Sequence, residues 1–222
     1  MNCANRYDKK LILIITGLII MALISLTKII SSTSIAGYSV FVGIAFFFIV
    51  EAVCKTPQNE SGLQFKSFIS DLKKPWVLFL VLLPIVTSIA TLVIGDLIFS
   101  GKFSAHIIGR TDSMLSFNKI PLLIFQVIIA ALGEEIAWRG FFVGKGMKIL
   151  PFWLCAIVSS VLFSVGHISS GSFALVFYDI STIFIDSLIY ALVYKKSQNC
   201  LISTAAHILC NAAGITFTLL FL

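Results

Sequence analysis

Seven stretches of mostly apolar residues, at 11–30, 36–54, 76–99, 120–143, 152–168, 173–194 and 200–222, make up most of this chain. A helix needs about 20 such residues to cross the hydrocarbon core of a bilayer. Only a structure that satisfies its own backbone hydrogen bonds can cross it. The chain therefore reads as an all-α polytopic membrane protein with about seven transmembrane helices. The break at Ser169-Ser170-Gly171-Ser172 is weak, so six and eight are the neighbouring counts. Composition agrees: 59% of residues are hydrophobic and 12% charged, with a mean hydropathy of +1.04. A soluble domain carries about 25% charge. Without repeats or low-complexity tracts, 1–222 reads as a single membrane domain.

Between the second and third stretches, 55–75 is polar, with Phe65, Phe68, Ile69 and Leu72 at helical spacing. This predicts an amphipathic helix near 56–74 lying on the membrane surface. The net charge of +6 raises the question of nucleic acid. Because the basic residues sit in short connections, they are read as setting topology, with lipid as the partner and no nucleic acid. Eleven Lys and Arg fall on one side: Arg6, Lys9, Lys10, Lys55, Lys66, Lys73, Lys74, Lys145, Lys148, Lys195 and Lys196. Only Lys102, Arg110 and Lys119 fall on the other. That bias predicts a cytoplasmic N-terminus. The first stretch is too long for a signal-peptide core and reads as a retained helix. Five cysteines, an odd number without a C-x-x-C, give no disulfide framework. With 13 Lys against 3 Arg and much Ile, the composition resembles that of a bacterial chain from an AT-rich genome, which points to a plasma membrane.

The informative residues are those that lipid should expel. An ionisable side chain at membrane depth costs roughly 2.5–3.5 kcal/mol on insertion scales, so it marks a polar cavity or a pairing. The fourth stretch carries Glu134, Glu135 and Arg139 within Gly-Glu-Glu-Ile-Ala-Trp-Arg-Gly. Glu135 and Arg139 are i,i+4 and share a face. Glu134 points about 100° away from Glu135, which leaves it free of that pair, with Trp138 one turn on as a wall for its pocket. The fifth stretch ends in Phe163-x-x-x-His167, and the seventh carries His207-x-x-x-Asn211. Each feature alone is also what inter-helix packing glue looks like. Together they supply a carboxylate beside a histidine to deprotonate water, and a second histidine with an amide to bind an oxyanion. His106 lies in a loop and needs no special account. Asp179 and Asp186, seven apart, read as structural or cavity-lining.

These three motifs resemble the signature of the CaaX-protease and bacteriocin-processing (CPBP, or Abi) family of intramembrane proteases, which includes the type II CaaX prenyl endopeptidases. That signature runs E-E-x-x-x-R, F-x-x-x-H, then H-x-x-x-N, and it spans about 120–215 here. The resemblance implies a peptidase in which Glu134 and His167 activate water, His207 and Asn211 hold the oxyanion, and Glu135 and Arg139 brace the helix, with Trp138 and Phe163 in support. It implies a membrane-associated peptide substrate, prenylated or of leader type, cut near the cytoplasmic face. No cofactor is favoured. Zinc, the alternative, would take Glu134, His167 and His207, but Asn211 is a poor zinc ligand and no H-E-x-x-H is present. The other functional class is a non-catalytic membrane immunity or regulatory protein with the same fold. A transporter would want an inverted repeat, and none is found. Oligomeric state has no signature.

Overall fold

A computed structural model describes residues 3–30, 37–57, 61–112 and 115–221. The described chain is helical: α1 (Cys3–Ile30), α2 (Tyr38–Cys54), α3 (Phe68–Leu72), α4 (Pro75–Phe99), α5 (Lys102–Thr111) and α6 (Ile120–Glu135) come first. α6 runs without a break into a π-helical stretch (Ile136–Val143) and a last turn, α7 (Gly144–Gly146). α8 (Phe152–Gly166), α9 (Phe173–Ser197) and α10 (Cys200–Phe221) complete the bundle. All seven apolar stretches are thus helices. Five are long and apolar enough to cross a membrane: Asp8–Ile30, Pro75–Phe99, Ile120–Gly146, Phe173–Ser197 and Cys200–Phe221. α2 and α8, with 17 and 15 residues, are shorter apolar helices. The protein is a polytopic all-α membrane protein. Apolar side chains such as Leu97, Leu23 and Phe125 point outward, as lipid-facing surfaces require.

The bundle has two distinct ends. At one, Lys145 pairs with Glu51 and donates to the Ser61 carbonyl, and the Cys200 amide donates to the Gly62 carbonyl at 2.7 Å. At the other, α5 folds back over the ends of α4 and α9. Phe103 stacks edge-on against Tyr178 at 4.9 Å, and the Ser104 amide donates to Asp96 at 2.9 Å.

The surface helix expected over 56–74 contracts to the five residues of α3; within that segment, 58–60 lie outside the described residues. Tertiary bonds replace the helix upstream of α3. Gly62 takes a φ of +84°, and Gln64 exchanges hydrogen bonds with the Asn199 side chain, accepting at 2.7 Å and donating at 3.1 Å. Phe68 and Leu72 pack into the core of α4, α9 and α10, while Phe65 and Ile69 stay exposed. Cys54, Cys155, Cys200 and Cys210 are free thiols.

Two close approaches lock the π-helical stretch in place. A Cβ on Gly43 of α2 would come within 2.6 Å of the Ala137 Cβ, and one on Gly144 would collide with the Tyr194 hydroxyl. Small residues let helices approach this closely in lipid. The π stretch is buried along its whole length, Ile136 to Val143, between α2, α8 and α9.

Candidate active site

The site grows from the end of α6. Glu134 and Glu135 occupy its last turn, and the wider π turn that follows carries Arg139. Such π segments inside α-helices recur at functional sites. The Arg139 Nη1 donates to Glu135 Oε1 at 2.9 Å, and neither side chain has any solvent exposure. Burying this pair needs further hydrogen bonds to offset desolvation. Arg139 Nη2 finds them on α9, donating to the Ser187 carbonyl at 2.9 Å and the Ser187 hydroxyl at 2.7 Å, and Ser187 donates onward to Ser160 of α8. The guanidinium lies between the rings of Phe163 and Tyr190, about 5 Å from each.

His207 of α10 completes the cluster. Its Nδ1 is 3.0 Å from Glu135 Oε1, and its Nε2 is 3.7 Å from Glu134 Oε2. Tyr190 stacks on the ring at 4.7 Å. One histidine therefore touches both members of the glutamate pair, the fully buried one through Nδ1 and the partly exposed one through Nε2.

His167 caps the end of α8. Its Nδ1 is 2.8 Å from the Phe163 carbonyl. A carbonyl only accepts, so Nδ1 carries the proton, and in the neutral ring Nε2 keeps its lone pair. Phe163 packs against this imidazole at 4.6 Å and edge-on to His207 at 6.2 Å.

Glu134, His167, His207 and Asn211 all line one cavity of about 270 Å³. Asp179, Asp186, Tyr190, Phe163 and Arg110 share its wall. The three motifs therefore meet in a single space. Asp186 accepts a hydrogen bond from Thr87 at 2.6 Å, in keeping with its reading as cavity-lining. Trp138 departs from expectation: it does not border the cavity but backs Phe163 from behind, with ring centres 6.0 Å apart.

His106 and Arg110 were missed. Asp179 Oδ2 is 3.1 Å from His106 Nε2 and 3.2 Å from Arg110 Nη1, and all three side chains are largely withdrawn from solvent. Arg110 Nε and Nη1 make no hydrogen bond among the described residues, because the approach of Nη1 to Asp179 is ionic and poorly aligned. The sequence signal was Asp179 itself: a carboxylate in an apolar helix asks for a cation, and α5 is where that cation is found.

Among the described residues, no group of three or more His, Cys, Asp and Glu side chains converges as a metal-ligand set. Glu134, His167 and His207 share the cavity, and the other nitrogen of each ring is engaged, by Phe163 in one case and Glu135 in the other, as suits a metal ligand or an acid–base group alike.

The fold and this site define a class: a polytopic membrane protein with a carboxylate–histidine–asparagine cavity enclosed among its helices. Residues 116–213 match the family model described as Rce1-like, type II CAAX prenyl endopeptidase, which is a family of proteases. The match covers the part of the chain that carries all three motifs and agrees with the family resemblance drawn from them. No curated protein and no solved structure matches the chain.

Proposed function

We propose that this protein is an intramembrane peptidase that hydrolyses a peptide bond of a membrane-associated peptide by metal-free activation of water. The observation that carries the reading is the convergence of Glu134, His167, His207 and Asn211 on one cavity, in a stretch that matches a protease family. The Glu134 carboxylate is partly exposed and outside the Glu135–Arg139 pair, and His167 keeps an unprotonated Nε2. Water held between them loses its proton to this pair and attacks the scissile carbonyl carbon. The carbonyl oxygen becomes the oxyanion, and the Asn211 amide and the His207 Nε2–H are its donors. In this role His207 carries protons on both nitrogens, with Nδ1–H held by Glu135. Collapse breaks the C–N bond, and the proton taken from water passes to the leaving amine. Preorganised donors of this kind are each worth about 10²–10³ in turnover.

Two substrate classes fit a membrane-associated peptide: a prenylated protein end, as in the name of the matched family, and a leader-type peptide. The test is a comparison of membrane-associated peptides in cells carrying the wild type and Glu134→Gln. The expected result is a substrate that accumulates uncut in the variant. Identical peptide profiles at equal protein levels would overturn the peptidase reading.

A further inference from the structure

The cavity enters the bundle from one end and stops short of the other. On α4 its wall starts at Ser88, past mid-helix; on α6 it stops at Glu134; on α9 it stops at Tyr190; on α10 it starts at His207. Chain direction alternates between these helices, so the cavity runs from the α5 end to just past the middle of the bundle, where Glu134, Tyr190 and His207 line its inner limit. Among the described residues, none from 51–74, 144–151 or 194–200 borders the cavity. Towards that end it is closed by the Glu135–Arg139–Ser187 network and by a packed apolar layer of Ile189, Val193, Ile202 and Ala206. At the α5 end, Ile108 lines the cavity while keeping 37% of its surface exposed.

The closed end is the one that carries the eleven Lys and Arg, and the open end carries Lys28, Lys102, Arg110 and Lys119. Basic residues in short connections stay in the cytoplasm. With a cytoplasmic N-terminus, the mouth of the cavity lies at the end opposite the N-terminal charge cluster. We propose that the cavity opens on the extracytoplasmic face, and that its substrate is a peptide segment presented there after translocation, of leader or membrane-anchored type. A prenylated cytosolic C-terminus would meet the closed end. The side of opening stands on geometry and charge alone; the substrate class rests additionally on the peptidase reading.

Two single-cysteine variants in a cysteine-free background test the side of opening: Ile108→Cys at the cavity mouth and Lys66→Cys at the closed end. Intact cells are treated with a membrane-impermeant maleimide. The expected result is labelling of Ile108→Cys, and labelling of Lys66→Cys only after permeabilisation. The reverse pattern overturns the proposal. If the cysteine-free chain fails to accumulate, the same substitutions are made in the native chain, whose Cys155, Cys200 and Cys210 are buried and whose own labelling serves as the blank. The substrate class is tested by comparing surface-released and cytosolic peptides from the wild type and Glu134→Gln. A Glu134-dependent product at the surface supports it, and one confined to the cytosol overturns it. No Glu134-dependent product at all would overturn the substrate class together with the peptidase reading, while the labelling result would still decide the side.

Discussion

His207 hangs from Glu135 by its Nδ1, at 3.0 Å, and the same carboxylate oxygen accepts from Arg139 at 2.9 Å. Glu135 is thus the shared anchor of a helix brace and of a cavity histidine. Glu135→Gln removes the charge that Arg139 needs in a fully buried position. Breaking such a pair costs about 3–5 kcal/mol, and the change also loosens His207. Glu134→Gln keeps the brace intact and loses only the partly exposed carboxylate. Thermal unfolding in detergent should therefore fall sharply for Glu135→Gln and stay near the wild type for Glu134→Gln, with activity lost in both. Equal losses of stability would show that the two glutamates do not divide their work.

Asn211 stands one turn beyond His207 on α10 and lines the same cavity. As an oxyanion donor it acts on the transition state more than on bound substrate. Asn211→Ala should lower kcat by about 10²–10³ with KM nearly unchanged. A rise in KM at constant kcat would instead make Asn211 a substrate-binding residue.

The seven helices were legible because lipid leaves the chain few options: long apolar runs must be helical, and charges inside them must meet. Glu134, Glu135, Arg139, His167, His207 and Asn211 could be named for that reason. What sequence concealed were arrangements that depend on through-space partners. The segment at 56–74 has the spacing of an amphipathic helix, yet Asn199, more than a hundred residues away, takes over the backbone amide and carbonyl of Gln64. Trp138 packs on Phe163 and does not border the cavity, a choice between two through-space neighbours that helical spacing does not make. His106 looked like a loop residue because the counter-charge of Asp179 lies in another helix.

Asp179 tethers α5 across the cavity end through His106 and Arg110. Asp179→Asn removes the charge that the Arg110 guanidinium faces in a largely buried position, while the His106 ring keeps its contact with the Ser169 hydroxyl. An unsatisfied buried polar group costs about 1–3 kcal/mol. Because α5 is short and joined by loops, that loss should appear locally: hydrogen exchange should rise across 102–111 while the π stretch at 136–143 stays protected. Uniform acceleration across the protein would mean that Asp179 supports the whole bundle, not the α5 tether.

The last prediction concerns metal. Zinc binding needs three protein ligands with free lone pairs and an open fourth position. Here the His207 Nδ1 is committed to Glu135 and its Nε2 faces Glu134 at 3.7 Å. His167 has its Nε2 available, but its Nδ1–H is held by a main-chain carbonyl, a partner that orients a general base as well as it orients a ligand. The same three residues can thus be read as ligands or as an acid–base set, and the two readings differ in what they require of purified protein. Water activation by Glu134 and His167 predicts no stoichiometric transition metal by elemental analysis and activity that survives chelation. His167→Ala should then abolish turnover without altering metal content. One tightly bound zinc per chain, lost in His167→Ala and in His207→Ala, with activity restored by added zinc after chelation, would replace the glutamate mechanism with a metal-dependent one.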